Sequence, residues 1–282
     1  MSDNHTNRLL NHRIVVTGIG VCSPSGNGQQ DFWEGLIQGR SNQTLAPWPD
    51  AQSMRCRHVC SVPRNGNGTR PESASDTIRI AVGACREALN DAGIQPAGSE
   101  TRVGMAVGTA VGGVDSGAKH HVLAAPELTL MNSPAHLLAH IFALTGPVST
   151  VPAACAAGSM ALLYAILQLQ QGRADVMLAG GFDSISEVPF AGFSSLHLLT
   201  GDCVRPFDRG RSGFLIGEGA GFLVLETLEA ARKRSAQIYA EIRGFGLGAD
   251  SYHVIHPHPE ARGLIQAMEN AMNMARCSAQ DI

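Results

Sequence analysis

The chain has 282 residues, of which 44% are hydrophobic and 16% are charged, and its formal net charge is −3. This composition, with 32 glycines, indicates a globular protein with a sizeable core and many tight turns, and it excludes a disordered or fibrous chain. A nucleic-acid partner is not expected, because nucleic-acid binders usually concentrate basic residues on one face.

The seven cysteines are scattered, without the spacing of a disulfide framework or of a zinc site. The N-terminal residues lack the apolar core of a signal peptide, and no apolar run reaches the length of a membrane span. These features predict a cytosolic protein with reduced thiols, no membrane contact and no metal site.

Residues 1–12 are polar and are expected to form a flexible tail. After them, strand patterns alternate with helical patterns, which predicts an α/β fold with a layered sheet. Strands are predicted at residues 13–23, 102–111, 148–151 and 174–184, and helices at residues 29–38, 75–92, 133–144 and 158–171. A further strand running into a helix is predicted at residues 221–234. Residues 40–75 show no period and are expected to form an irregular surface excursion.

An internal similarity suggests a division of the chain. Residues 238–250 repeat the pattern of residues 13–23, an apolar strand that runs into Gly-x-Gly, and a helix is predicted at residues 263–274. We therefore expect an N-terminal α/β unit over residues 13–237, and the start of a second, truncated unit over residues 238–282.

Cys155 is the strongest candidate for a functional residue. A short strand precedes it, and a helix with small residues in its first turn follows it, which is a geometry that lifts a nucleophile above a sheet. A helix N-terminus favours an anion and lowers the pKa of a thiol. The backbone N–H of Cys155 would then supply half of an oxyanion hole. An inert buried cysteine is the competing interpretation, and this segment alone leaves both open.

Other segments add a resemblance to a known family. In chain order they are VTGIGVCSPSGNG, GTAVGG, the segment around Cys155, DVMLAGG, RPFDRGRSGFLIGEGAG and GADSYHV. Together they resemble the β-ketoacyl synthases, the condensing enzymes of fatty-acid and polyketide synthesis, and most of all their elongating, carrier-protein-dependent branch. The resemblance runs from Arg13 to the last residue. It implies a thiolase-like fold, with five α and β layers when complete, and a homodimer.

The resemblance also implies the reaction. Cys155 would take an acyl chain from an acyl carrier protein, and the acyl group would then condense with a carbanion formed by decarboxylation of malonyl-carrier. A thiolate suits this exchange because it is both a nucleophile and a good leaving group. No bound cofactor is implied, since the substrates are carried on the phosphopantetheine of the carrier protein. Substrate-binding positions implied by the family pattern are Val111, Gly112, Gly113, Phe193 in the FAGFSSL loop, and His253 near the carrier entrance.

Arg205, Arg209 and Arg211 are candidate contacts for the carrier protein. Carrier proteins are acidic, and arginine forks near the mouth of the acyl tunnel would steer them. A structural pair between Asp208 and Arg211 is the competing interpretation for Arg211.

The sequence departs from the family pattern in several respects. Ala153 stands where threonine is usual, and Pro152 lies in the strand that the family places at the dimer interface, where it removes a hydrogen-bond donor. The family's two enolate-stabilising histidines lie in Ala-His-Gly-Thr and Gly-His motifs, and the 282 residues contain neither motif. We therefore expect this chain alone to lack the histidine half of the site and to be incompetent for condensation, unless a companion chain supplies that half.

Several alternatives stay open at this point. The chain could be an inactive fragment or a non-condensing partner subunit, although such subunits typically replace the nucleophile. A nucleotide-binding α/β protein is an alternative of another class. Gly18 and Gly20 follow a strand, but Ser23 breaks the Gly-x-Gly-x-x-Gly fingerprint. His136 and His140 share a helix face, but no carboxylate or third ligand accompanies them to suggest a metal.

Overall fold

The computed structural model of the protein describes residues 12–63, 75–110, 133–253 and 256–282. Its strands are β1 (Ile14–Ser23), β2 (Gly26–Asn27), β3 (Gln43–Leu45), β4 (His58–Cys60), β5 (Val103–Gly108), β6 (Val148–Val151), β7 (Val176–Asp183), β8 (Gly219–Thr227) and β9 (Ala240–Ile242). Its helices are α1 (Gln29–Ile37), α2 (Ser75–Asp91), α3 (Ser133–Ile141), α4 (Ala157–Gln170), α5 (Glu187–Ser195), α6 (Leu228–Lys233) and α7 (Arg262–Ala275). Each strand and helix predicted from the apolar pattern is present, with ends that differ by a few residues.

The main sheet of the described residues has seven strands, in the order β2-β1-β8-β7-β5-β6, with β9 also paired to β1. Strands β5, β6 and β7 are parallel to one another, whereas β8 is antiparallel to both β7 and β1. Helix α2 packs on one face of this sheet and α4 on the other. The predicted α/β class with a layered sheet is therefore confirmed.

The expectation of an irregular excursion over residues 40–75 is wrong for its first part. Strands β3 and β4 form an antiparallel pair, with a 3₁₀ turn at Pro49–Ser53 between them. Val59 of this pair is fully buried and packs in a small apolar cluster with Ile185 and Phe190. Strands of three residues are too short to show a period in the sequence, and for this reason the pattern missed them. Residues 64–74 lie outside the described residues.

Strand β9 lies at the start of the segment expected to open a second unit. It pairs antiparallel with the beginning of β1, in the register Ile14 to Ile242, so it extends the first sheet. Arg13 and Glu241 add an ion pair beside this ladder. The division of the chain at residue 238 stays a prediction.

Glycines set how closely a helix approaches β1 and the segment that follows β9. A Cβ atom on Gly20 would lie 1.9 Å from the carbonyl oxygen of Ala84 in α2, and one on Gly246 would lie 1.8 Å from that of Ala267 in α7. Neither position could carry a side chain without moving the helix backbone. The similarity between residues 13–23 and 238–250 thus corresponds to the same packing of a glycine-containing segment on a helix.

Candidate functional site

Cys155 lies at the edge of the sheet where the parallel strands end. Strands β5, β6 and β7 point the same way, so their carboxyl ends share this edge. Open α/β sheets bind their ligands at such an edge. The chain leaves β6 at Val151 and reaches Cys155 four residues later, and the cysteine is exposed.

The chain turns sharply just before the cysteine. Ala154 has a φ of 46°, in the left-handed region that an alanine rarely adopts. Residues Ala154–Ala156 form a 3₁₀ turn, and α4 begins at Ala157. The prediction placed a helix with small residues in its first turn directly after Cys155. The structure instead places a tight turn between the strand and the helix. Backbone strain of this kind costs on the order of 1–3 kcal/mol and clusters at functional sites.

Glycines let the first turn of α4 approach the sheet. A Cβ atom on Gly108, the last residue of β5, would lie 2.3 Å from the carbonyl carbon of Ala157. Gly108 pairs with Gly181 of β7, which pairs in turn with Gly221 of β8. A row without side chains therefore crosses the sheet next to the turn that carries Cys155.

A hydrogen-bonded cluster lies at the same edge, and the sequence interpretation missed it. The carboxylate of Asp183, the last residue of β7, accepts a hydrogen bond from the Thr109 hydroxyl at 2.7 Å. Both of its oxygens also accept from the N–H of Ala110 at 3.1 Å. Thr109 is almost completely buried. The only signal in the sequence was an acidic residue at the end of an apolar strand.

Cys22, Cys60 and Cys85 differ from Cys155 in their surroundings. Burial raises the pKa of the Cys22 thiol to about 11, and it also raises the pKa values of Cys60 and, strongly, of Cys85. These thiols hold their protons more firmly than a free cysteine and are poor nucleophiles at neutral pH. Cys155 and Cys203 are the two exposed cysteines of the described residues.

The structure describes some of the predicted substrate-binding positions but not others. Val111, Gly112 and Gly113 lie outside the described residues. Phe193 was placed in a loop, and that placement is wrong, because it lies in α5. Its ring packs edge-on against Phe214 at a centroid distance of 5.1 Å, in the apolar cluster beside β4.

The three arginines predicted to contact a carrier lie on one exposed loop, and each has a different surrounding. Arg205 forms an ion pair with Asp202 at 2.7 Å. Arg211 donates to the backbone carbonyl of Asp208 at 3.0 Å, so the two residues of the competing structural pair are in contact, through the backbone of Asp208. Arg209 is exposed. The side chain of Phe207, in the same loop, is fully exposed.

His253 is exposed, and its Nδ1 accepts a hydrogen bond from the N–H of His256 at 3.1 Å. The two imidazole rings lie 4.7 Å apart. His136 and His140 are both exposed on α3. Within the described ranges, no three potential ligands lie together in a way that could hold a metal ion.

The glycines that suggested a nucleotide site have another role. Gly18 and Gly20 lie against the backbone of α2, where Cβ atoms would come within 2.3 Å and 1.9 Å of carbonyl oxygens. The segment around Glu218 meets strand β4, since the N–H of Glu218 donates to the carbonyl of Cys60 at 3.0 Å.

In the described parts of the chain, no helix has the length and apolar character needed to cross a membrane.

Comparison with known proteins agrees with this geometry. Residues 11–231 match the family described as Beta-ketoacyl synthase, N-terminal domain. The ketoacyl synthase alpha subunit of the tetracenomycin polyketide synthase of Streptomyces glaucescens is 34% identical, over 98% of this chain and 72% of the relative. The 3-oxoacyl-[acyl-carrier-protein] synthase 2 of Coxiella burnetii is 32% identical, over 93% of this chain and 69% of the relative.

A solved structure supports the same family and fold. A type II polyketide ketosynthase, determined in complex with its acyl-carrier protein and bound to a hexaketide, superposes with a TM-score of 0.80. It is 26% identical, and the match covers 96% of this chain and 72% of that chain. The predicted thiolase-like fold and the family resemblance are confirmed.

Proposed function

The chain belongs to the β-ketoacyl synthase family of acyltransferase-type condensing enzymes, and we propose that Cys155 is the nucleophile that receives the acyl chain. The observation that carries this proposal is the exposed thiol on a strained turn, at the edge where three parallel strands end. Among the other described thiols, burial raises the pKa values of Cys22, Cys60 and Cys85, Cys56 is buried, Cys277 is partly buried, and Cys203 lies on the loop of Arg205.

The transfer is an exchange of one thioester for another. The Cys155 thiolate attacks the carbonyl carbon of the incoming thioester, a new C–S bond forms, and the carbonyl oxygen carries the negative charge of the tetrahedral intermediate. The backbone N–H of Cys155 is proposed as one donor to this oxygen. The intermediate then collapses with cleavage of the original C–S bond, and the outgoing thiolate takes up a proton. No bound cofactor is needed for these steps.

The proposed acyl donor is an acyl carrier protein with its phosphopantetheine. The carrier complex of the related ketosynthase supports this donor. Arg205, Arg209 and Arg211 are proposed carrier contacts, and Arg209 is the best placed of them because it is exposed and its loop already uses Arg205 and Arg211 in internal contacts. Val111, Gly112, Gly113 and Phe193 are proposed to line the acyl chain, with His253 near the entrance.

Assembly and location are further parts of the proposal. Strand β6 is the outermost strand on one side of the sheet among the described residues, and its side chains are only partly buried. Pro152 comes directly after this strand, so it removes no donor from the β6 ladder. We propose that a second copy or a related chain pairs with or packs against β6. A cytosolic location stays a prediction.

Acyl transfer is tested by incubating the full-length protein with acyl-carrier protein and mapping the acyl group by mass spectrometry. We expect the acyl group on Cys155 in the native protein and in Cys203→Ala, and none on Cys155→Ala. Iodoacetamide at neutral pH should label Cys155 and Cys203 before Cys22, Cys60 and Cys85. Acylation at Cys203 with an unmodified Cys155 would overturn the assignment of the nucleophile.

Carrier docking is tested by reversing one charge. Arg209→Glu should weaken carrier binding more at low salt than at high salt, because salt screens exposed charges. Arg173→Glu is the matched control, since Arg173 is exposed on the turn before β7, at the opposite edge of the sheet. Equal carrier affinity of the two variants at low salt would remove Arg209 from the interface.

Condensation is a separate measurement from acylation. The family resemblance assigns decarboxylation to two histidine motifs, and the 282 residues contain neither of them. A polypeptide of these residues should accept an acyl group but should release no ketoacyl product when malonyl-carrier is added. Formation of that product would show that other groups of this chain stabilise the enolate.

A further inference from the structure

Two pairs of a threonine and a carboxylate connect neighbouring segments of the main sheet. In one, the Thr109 hydroxyl donates to Asp183 at 2.7 Å. In the other, the Thr17 hydroxyl donates to Glu226 at 2.6 Å. Asp183 is the last residue of β7, whereas Glu226 is opposite Val176, the first residue of β7. The two pairs therefore lie at opposite edges of the sheet, and only the Asp183 pair is at the edge with Cys155.

The Glu226 pair has a complete structural explanation. Glu226 is buried, and Arg234 donates to its carboxylate through Nε and Nη2 while Arg234 Nη1 binds the carbonyl of Ala92. This arrangement ties β8, α6 and the end of α2 together, and it neutralises a charge that burial would otherwise make costly.

The Asp183 pair holds the chain where it leaves β5. In addition to the Thr109 hydroxyl, both carboxylate oxygens accept from the N–H of Ala110. These bonds replace the ladder that ends at Gly108, so the side chain of Asp183 sets the direction of the next two residues. Bonds to a carboxylate are about twice as strong as neutral ones, which suits a contact that must hold an exposed segment in place.

The held segment lies next to the turn of the nucleophile. Gly108 contacts the backbone of Ala157 and Gly158 in the first turn of α4, and Cys155 is two residues before that turn. Ala110 is exposed at the same edge. Thr109 and Ala110, called the border below, therefore leave β5 beside the turn that carries Cys155.

We infer that Asp183, acting through Thr109 and Ala110, is a positioning residue that sets which acyl chains fit above Cys155. The inference rests on the proposed function and adds to it a determinant of acyl-chain preference. Loss of the Thr109 bond would leave the border held to Asp183 through the Ala110 N–H alone, and so less firmly. Binding of the acyl group would then weaken, whereas the intrinsic reactivity of the thiol would not change.

The test uses the full-length protein and acyl N-acetylcysteamine thioesters with short, medium and long straight chains. Thr109→Val keeps the side-chain shape and removes the hydroxyl, and Thr109→Ser keeps the hydroxyl. Thr17→Val is the matched control, because it removes the same kind of bond at the opposite edge. For each protein, the KM and rate of Cys155 acylation are measured with each thioester, together with the rate of iodoacetamide labelling of Cys155.

We expect Thr109→Val to raise KM about tenfold for at least one chain length, which corresponds to about 1.4 kcal/mol, and to change the order of preference. The labelling rate should stay as in the native protein, and Thr109→Ser and Thr17→Val should keep the native preference. Asp183→Asn serves as a second variant if Thr109→Val is poorly folded, and it should also raise KM.

The inference would be overturned if Thr109→Val and Thr17→Val showed the same acyl-chain preference, or if Thr109→Ser did not keep the native preference. Absence of acylation in the native protein with every thioester and with acyl-carrier protein would overturn the proposed function instead.

Discussion

Two glycine-containing segments pack on a helix in the same way. One is the part of β1 that lies on α2, and the other is the segment after β9 that lies on α7. In the first, Gly18 and Gly20 lie against the carbonyls of Ala88 and Ala84. In the second, Gly244, Gly246 and Gly248 lie against the carbonyls of Ala271, Ala267 and Gly263. In both, a step of two residues along the glycine segment matches a step of four residues back along the helix.

The two helices differ in what surrounds them. Helix α2 is packed against β1, β7 and β8 and buries its apolar face in the main core. Helix α7 has one buried residue, Gly263, and its side chains Leu264, Ile265 and Met268 are 57%, 48% and 53% exposed within the described residues. The glycine spacing thus specifies a close approach of the segment to the helix backbone. The loss of stability when that approach is disturbed depends on how firmly other contacts hold the helix in place.

The largest effect is expected at Gly20. In Gly20→Ala, the new Cβ would lie 1.9 Å from the carbonyl oxygen of Ala84 and 2.6 Å from the nitrogen of Ala88. Helix α2 cannot retreat without opening the main core, so we expect a loss of about 3 kcal/mol or more in the free energy of unfolding. Urea unfolding of the full-length protein measures it, and a loss well below 1 kcal/mol would show that α2 is not held by its core face.

A smaller effect is expected at Gly246. The clash in Gly246→Ala is as close, 1.8 Å from the carbonyl oxygen of Ala267. Because α7 is largely exposed on its other side, it can shift and relieve the contact, and we expect a loss of about 1–2 kcal/mol. Equal losses for Gly246→Ala and Gly20→Ala would mean that α7 is held as firmly as α2 in the full-length protein, and the contrast between the two helices would then fail.

Much of this comparison could be predicted from the sequence. The β-branched run before Gly18 and Gly20 predicted β1, and the repeat of the pattern at residues 238–250 predicted a similar segment followed by a helix. The apolar pattern also placed β6 and the approximate start of α4, and so it placed Cys155 between a strand and a helix. These features are local, and each has a periodicity or a glycine that reports it.

The rest depends on contacts that a local pattern does not report. Asp183 and Thr109 are 74 positions apart, and nothing in either segment indicates their hydrogen bond. The left-handed backbone at Ala154 has no sequence signal, because alanine is not a residue that marks such a turn. The segment FAGFSSL around Phe193 was taken for a loop through the family resemblance, whereas most of it lies in α5, in which Pro189 is tolerated because it is in the first turn.

An intermediate effect is expected at the contact that joins the two segments. Asp91 of α2 accepts a hydrogen bond from the N–H of Ile19 and another from the Tyr239 hydroxyl just before β9. Tyr239→Phe removes only the second bond, and we expect a loss of about 1 kcal/mol at neutral pH.

The same contact makes a prediction for high pH. The hydrogen bond to Asp91 raises the pKa of Tyr239 above its usual value near 10. A raised pKa means that the contribution is fully present below pH 10 and is lost as the pH rises through the folded value. The stability difference between the native protein and Tyr239→Phe should therefore shrink at high pH. A difference that stays constant across this range would contradict the role given to the Tyr239–Asp91 bond.

The smallest effect, of opposite sign, is expected at Gly83. This glycine is in the interior of α2 but on its exposed side, and a Cβ atom there would have no neighbour within 4 Å. Glycine in a helix interior is less favourable than alanine, because it loses more backbone freedom on folding. Gly83→Ala should therefore raise the free energy of unfolding by about 0.5 kcal/mol. Comparison with Gly20→Ala in the same urea series separates the role of a glycine at the contact of β1 with α2 from that of a glycine on the exposed side of α2. Gly20 permits an approach that any side chain would block, whereas Gly83 only adds freedom to the unfolded chain. A destabilised Gly83→Ala would mean that something covers this face of α2 in the full-length protein, and the exposure of α7 would then have to be tested in the same way.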